Sequence, residues 1–352
     1  MNIIVQRADL ARALTAVSKA VEKRNTIPIL GCVHLDATAG ELRIRGTDLD
    51  IEITSVLPAS VAEPGRVCVD AGRLLDIARK MAGDEVTLSL AAEKLTVKAG
   101  RSRFNLATLP WQDFPTLSDG QFDAEFEFDL AALVSHVSFA QSSEQTRIYI
   151  CGIHLHTKDG NLVAVATDGH RMAVRRAPLP DGGAAMPAVT LPTKAVSALP
   201  KGAAKVSVST RKIRVEVGDI VLLSKLIDAP FPDYERVIPT GGTLAKARRA
   251  DLLAAADRVG CIETNGARAA KFSFDGPTCR IVFASGSSGE AYEEVDVEYG
   301  GEPFDIGFNY RYIADIMGAL QGETVTLRLA AGLPGHFTAD GDGLCVCMPM
   351  RH

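Results

Sequence analysis

The chain of 352 residues is short of several things, and each shortage excludes something. Aromatic residues make up 6% and there is a single tryptophan, too little for a platform on which single-stranded bases could stack. No run of about 18 apolar residues occurs, so no membrane-spanning helix is expected. The opening MNIIVQRADL meets charge at Arg7 and Asp9 before any apolar stretch could act in export. The seven cysteines are scattered and lack CxxC spacing, which predicts reduced, mostly buried thiols in a cytoplasmic protein. Neither a GxxxxGK(S/T) loop nor a GxGxxG opening a helix is found, so nucleotide hydrolysis and dinucleotide cofactors are not expected.

What is present suits a globular chain with full cores: 47% hydrophobic and 23% charged residues. At roughly 150 residues per domain the length suggests two or three domains. An internal repeat decides between them. Gly46-Thr47-Asp48 follows the strand-like ELRIR, and Ala166-Thr167-Asp168 follows NLVAV. Phe114-Pro115 and Phe231-Pro232 close their segments with nearly the same separation, about 117–120 residues, which divides the chain into three copies.

Each copy opens with a helical stretch, expected at Asp9–Val21, Asp129–Ala140 and Arg249–Val259. A second, shorter one is expected at Arg73–Met81, Thr193–Leu199 and Asn309–Leu320. In the first, Leu10, Ala13, Leu14 and Val17 recur at helical spacing and give it one apolar face. Alternating strands fill the rest, among them those starting at Val86, Val206 and Val325. Two helices packed on sheets define an α+β unit, repeated over residues 1–119, 120–241 and 242–352. The formal net charge is −5, yet the helical stretches are net basic. A basic face on an acidic body fits weak contact with a phosphate backbone; solvated helix faces are the plainer alternative.

Other motifs allow bland readings. His154 and His156 sit at i, i+2 on a strand without a third metal ligand, so no metal site is expected; Cys345 and Cys347 are read the same way. Thr167-Asp168-Gly169-His170-Arg171-Met172 could suggest acid–base chemistry, but Asp168-Gly169 is also a turn dipeptide and no nucleophile accompanies it. A hydrolase is disfavoured further because Thr47-Asp48-Leu49-Asp50 fills the equivalent place without a histidine.

Taken together, RNTIPILG (Arg24 to Gly31), GRSRF (Gly100 to Phe104), ATDGHRMAV (Ala166 to Val174), FPDYERVIP (Phe231 to Pro239) and CMPMR (Cys347 to Arg351) resemble the bacterial sliding clamp family, the beta subunit of DNA polymerase III. The motifs fall in register across all three copies. Three differences stand out: Ile148 where an aromatic is common, Glu235 beside Arg236, and His352 where a hydrophobic residue is usual.

The resemblance implies three processivity-clamp domains per protomer, no catalysis, and a head-to-tail homodimeric ring around duplex DNA. The implied partners are the polymerase III alpha subunit, the clamp loader and other clamp-binding-motif proteins. Implied DNA contacts are Arg24, Arg73, Gln145 and Tyr149, to which the helix charges add Lys194 and Lys201. The implied partner groove takes Ile150, Thr167, Gly169, His170, Arg171 and Met172 from the second copy, with Pro232 and Val237. Val346, Met348, Pro349, Met350 and Arg351 complete it. Val346, Met348 and Met350 are expected to form one apolar row, and Pro349, which cannot donate to a ladder, to mark an edge strand. Ring closure would use Arg101, Arg103, Phe104 and Leu106 on one side, and Cys279–Phe283 with Glu290, Glu293 and Glu294 on the other. A scaffold that binds partners without encircling DNA is the alternative; it would run as a monomer in gel filtration.

Overall fold

A short strand running straight into a helix opens the first and third copies, and one arginine seals both starts. Arg7 and Arg249 are the first helical residues. Arg7 donates its backbone N–H to Asp84 O (2.7 Å) and its Nε–H to Gly83 O (2.7 Å). Arg249 does the same to Glu323 O and Gly322 O, each at 2.9 Å. The computed structural model describes residues 1–22, 26–263, 269–284, 289–339, 341 and 343–351.

Six helices occur among these residues: α1 (Arg7–Val17), α2 (Ala71–Lys80), α3 (Leu130–Ser135), α4 (Thr193–Ala198), α5 (Arg249–Val259) and α6 (Tyr310–Ala319). Leu10, Ala13, Leu14 and Val17 of α1 are buried, as their spacing predicts. The helix also lies so close to the sheet that a Cβ on Gly46 would meet Val17 Cγ1 at 2.8 Å, so only glycine fits there. α4 stops where Leu199 precedes Pro200. The helix expected over Asp129–Ala140 is broken: α3 ends at Ser135 and a 3-10 turn follows at Ser138–Ala140. The Ser135 hydroxyl donates to Ala132 O (2.7 Å) and that of Ser138 to Ser135 O (3.2 Å), local bonds that compete with continued helix.

Three sequence copies fold as two compact units. One comprises Met1–Ala131, Pro180–Pro187 and Leu191–Leu226; the other comprises Ala132–Leu179, Ala188–Thr190 and Ile227–His352. Strand pairing across the copy junctions is the cause. In the first unit Ile220–Lys225, the last strand of copy two, pairs antiparallel with Ile51–Pro58 of copy one, Leu222 opposite Ile53. In the second, Gly343–Cys347, the last strand of copy three, pairs with Arg171–Pro178 of copy two, Cys345 opposite Ala173. Each unit therefore carries one long antiparallel sheet, of 13 and 12 strands.

The edge strand expected at the C-terminal motif is corrected by this topology. Gly343–Cys347 is paired on both sides, with Arg171–Pro178 and with Gly335–Ala339, and Pro349 lies beyond its end. Two other strands do leave an edge without a ladder partner among the described residues. Ser102–Leu109 pairs along Lys94–Ala99 but on its other side meets Gly65–Asp70 only through Thr108 and Leu109. Glu290–Tyr299 pairs along Thr278–Ala284, and with Thr243–Arg248 only from Val297 onward.

Candidate functional site

The segment Thr167–Arg171 is a turn, and its hydrogen bonds explain its residue types. The Thr167 hydroxyl donates to Arg171 O (2.8 Å) and accepts the Gly169 N–H (3.1 Å). Asp168 Oδ1 accepts the N–H groups of His170 and Arg171, both at 2.9 Å. Gly169 has φ +88°, a conformation that favours glycine, and a Cβ there would press on the tip of the Arg147 side chain at 2.8 Å. Asp168 is thus occupied in holding the turn and does not act as an acid or base. His170 O accepts the N–H of Met348 (2.8 Å), which ties the end of the chain's last strand to the turn.

Beside the turn lies a cavity of about 230 Å³ within the second unit. Ile150, Thr167, Gly169, His170, Arg171, Met172, Pro232, Val237, Val346 and Met348, ten of the residues named for the groove, are brought together in its lining. Of its lining residues Met172, Tyr234 and Val346 are buried, and they belong to a packed cluster with Val163, Val165 and Val174 beneath. Val237 and Met348 stand at the rim, 46% and 41% exposed, so an apolar anchor could cover them.

Pro349, Met350 and Arg351 do not line the cavity. The expected row breaks after Met348, because Met350 bridges to Gly307 of Phe304–Asn309 and donates its N–H to Gly307 O (2.8 Å). Arg171 borders the cavity, but its guanidinium is engaged elsewhere. It bonds Asp168 Oδ2 (3.1 Å), Phe139 O (2.8 Å) and Asp315 of α6, and lies 4.3 Å over the Tyr312 ring.

Four lining residues were not foreseen for the cavity: Arg147, Tyr149, Asp233 and Tyr234. Asp233 and Tyr234 lie inside the FPDYERVIP motif, which could have marked them; Arg147 carries no such signal. Arg147 reaches the site through Glu144 (2.7 Å) and Asp168 O (3.1 Å), and the Thr146 hydroxyl together with Arg147 holds the Glu144 carboxyl low.

The wall Phe231–Val237 is fixed from behind by the histidine pair. His154 stacks on Phe231 with centroids 4.7 Å apart and shares a 3.1 Å hydrogen bond with Thr190; burial pushes it down to about 4. His156 Nε2 lies 3.0 Å from the Tyr234 hydroxyl, and Lys158 pairs with Glu235. The two rings do share a face, 5.3 Å apart, but each is committed to its own partner. Cys345 and Cys347 are buried and their thiols pushed up to about 12.

The basic residues separate into two groups. Arg73 on α2 and Lys201 are exposed and make no ion pair among the described residues, and Gln145 and Tyr149 are exposed as well. Lys194 is already paired: its ammonium meets Asp48, whose side chain is 7% exposed, and lies 3.6 Å from Glu22, so its charge is largely balanced within the chain. Arg12 and Arg258 are likewise bound, to Asp219 (2.7 Å) and Glu293 (2.7 Å). Arg24 lies outside the described residues. At the unpaired edges Arg101, Arg103 and Phe104 are exposed and Leu106 half-buried on one, while Glu290 is exposed and Glu293 half-buried on the other.

Comparison with known proteins agrees with this architecture along the whole chain. Models of the DNA polymerase III beta subunit match in order: the N-terminal domain over residues 1–118, the central domain over 127–233 and the C-terminal domain over 235–350. The beta sliding clamp of Caulobacter vibrioides is 39% identical, covering 94% of this chain and 93% of the relative. That of Escherichia coli K12 is 34% identical with full coverage of both. Among solved structures, a sliding clamp of C. crescentus superposes with TM-score 0.95 at 36% identity over 100% of this chain and 99% of that one. A sliding clamp of Bartonella birtlesii bound to griselimycin gives the same TM-score and identity, with both chains fully covered.

Proposed function

The chain belongs to the DNA polymerase III beta subunit family, the beta sliding clamps, and from that premise we propose how its parts divide the work. It is a non-catalytic processivity clamp: a dimeric ring that holds duplex DNA and tethers the replicative polymerase and other partners to it. Topology replaces affinity in such a ring, because a closed ring cannot leave DNA sideways. It acts on DNA in the cell interior; we assign it to the cytoplasm and set its domain limits at 1–119, 120–241 and 242–352.

The pairing rule of the junctions carries the reading. The last strand of copy two joins copy one, and the last strand of copy three joins copy two. Continued across a protomer boundary, the rule sets the last strand of copy one, Ser102–Leu109, against Glu290–Tyr299 of its partner, filling two unpaired edges at once. Arg101 and Arg103 then face Glu290, with Phe104 and Leu106 packing across the seam. Glu293, already clamped by Arg258, shapes that edge more than it attracts.

Arg73 and Lys201, with Gln145, Tyr149 and Arg24, are assigned to the DNA face, where contacts to phosphates hold without reading sequence. The cavity beside Thr167–Met172 receives partner peptides carrying leucine and phenylalanine anchors. Met172 on the floor and Met348 at the rim are flexible and polarizable, which lets one groove accept the polymerase alpha subunit, the clamp loader and others in turn.

The test pairs primer extension on circular DNA with a binding assay. Polymerase at limiting concentration should make long products only when the chain and a loader are present. Val237→Ser with Met348→Ser should weaken a labelled clamp-binding peptide by about thirtyfold or more while leaving the dimer intact. Unchanged product length with the wild-type chain would overturn the clamp function, and unchanged peptide affinity in the variant would overturn the groove assignment.

A further inference from the structure

The hydrogen-bond skeleton of the groove turn is present a second time, at the junction of copies one and two. The Thr47 hydroxyl donates to Ile51 O (2.9 Å) and accepts the Leu49 N–H (3.0 Å); Asp48 Oδ1 accepts the N–H groups of Asp50 (2.9 Å) and Ile51 (2.8 Å). Asp50 O accepts the Lys225 N–H at 2.8 Å, as His170 O accepts that of Met348. A buried histidine again stacks on the phenylalanine that opens the closing segment, His34 on Phe114 with centroids 5.3 Å apart. The two junctions share strand register too: Ile51 faces Ser224 and Glu52 faces Leu223, as Arg171 faces Cys347 and Met172 faces Val346.

With the turn's hydrogen bonds held constant, the side chains differ: Ile51, buried, stands for Arg171, and four further positions bear on the cavity. Leu49 stands where Gly169 leaves room, at the same positive φ (82°), a conformation costly for a branched side chain, and it is 39% exposed. Asp50 and Lys225 stand for His170 and Met348 and form an ion pair of 3.0 Å. Glu52 stands for Met172; its buried carboxylate accepts the Leu117 N–H at 3.0 Å and draws the closing segment down onto the strand.

We propose that the junction of copies one and two is a closed copy of the partner groove, kept shut by Leu49, Glu52 and the Asp50–Lys225 pair, so that each protomer presents partners with one groove instead of two. The proposal rests on reading the cavity at Thr167–Met172 as the partner groove. Leu49 sets a bulky side chain where Gly169 has none, the ion pair makes the rim polar, and Glu52 puts a hydrogen-bonded carboxylate where the groove has the apolar Met172.

The test uses the full-length dimer and a fluorescent peptide with leucine and phenylalanine anchors and a photoreactive group. Wild type should cross-link at residues 147–172 and 346–348 with one peptide per protomer; cross-linking elsewhere would overturn the groove reading and this proposal with it. Copying the first junction into the second, Gly169→Leu, His170→Asp and Met348→Lys, should lower affinity by thirtyfold or more in a protein that still dimerises. In that background Leu49→Gly, Asp50→His, Glu52→Met and Lys225→Met should bring cross-linking to residues 26–30, 49–52 and 223–226. Should this variant melt early, the exposed pair Asp50→His with Lys225→Met replaces it, with weaker labelling of the same segments expected. Wild-type labelling at the groove, with no labelling of the first junction in a folded opened variant, overturns the closed-copy proposal while the groove stands.

Discussion

Arg171→Ala separates two roles that one residue could play at the groove. Motif position suggests a peptide contact; the structure turns its guanidinium toward Asp168, Asp315 and the Phe139 carbonyl, under the Tyr312 ring. The Arg171 and Asp168 side chains are 12% and 17% exposed, whereas that of Asp315 is 48% exposed. Removing one partner of a largely buried pair typically costs 3–5 kcal/mol, and the half-exposed Asp315 moves the expectation to the lower end, about 3 kcal/mol with the stacking included. For a unit of this size that lowers the melting temperature by roughly 6–12 °C. Asp168 Oδ1 still accepts the two turn N–H groups in the variant, so the groove keeps its shape. Peptide affinity measured well below the melt should therefore fall by no more than about threefold, less than 1 kcal/mol. Differential scanning fluorimetry beside fluorescence polarisation reads both quantities. An unchanged melt with a tenfold or greater loss of affinity would refute this assignment and make Arg171 a direct peptide contact.

Arg73→Ala should reduce the salt slope of DNA retention by about one unit without a stability change, whereas Lys194→Ala should leave the slope alone. Lys194→Ala should instead destabilise its unit by about 1–2 kcal/mol, because the Asp48 carboxylate loses its ammonium. Filter binding over a salt series and a thermal melt distinguish the two. Arg103→Glu should shift the dimer toward monomer in sedimentation velocity, and Glu290→Arg in the same chain should restore part of it; no shift would remove the strand seam as the closure site. His34 is 6% exposed, stacks between Trp111 and Phe114, and is held down to about 4, chiefly by burial and then by Arg45. A histidine depressed in the folded state leaves the unfolded chain binding more protons between about pH 6.5 and 4, so stability should fall as pH drops through that window. The loss from His34 is on the order of 3 kcal/mol, and His34→Phe should flatten the profile of melting temperature against pH.

Much of this protein was legible in the order of its residues. The threefold repeat, the apolar stripe of α1 and the strands follow from local periodicity, a property of near neighbours that needs no tertiary context. The turn at Thr167–Arg171 was legible as well, because threonine, aspartate and glycine make their hydrogen bonds within four residues. Charge was not. Counting lysines and arginines on helices makes them net basic and singles out Lys194, but the acids that balance Lys194, Arg12 and Arg258, namely Asp48, Asp219 and Glu293, lie on other elements and meet them only in the fold.

Sequence by itself determined three copies, a repeated turn and an apolar stretch at the C-terminal motif. Tertiary structure decided that three copies become two units, since strands pair across the junctions and a sheet takes no account of where one repeat ends. It also decided that Gly343–Cys347 is central, that Met350 turns away to Gly307, and that one junction holds a cavity beside Gly169 while its twin carries Leu49 and an ion pair. The physical reason is the same in each case: pairing and burial are set by residues far apart in sequence, from about 40 positions for Met350 and Gly307 to about 170 at the two junctions, so local pattern specifies which elements form and long-range contact specifies what they leave open.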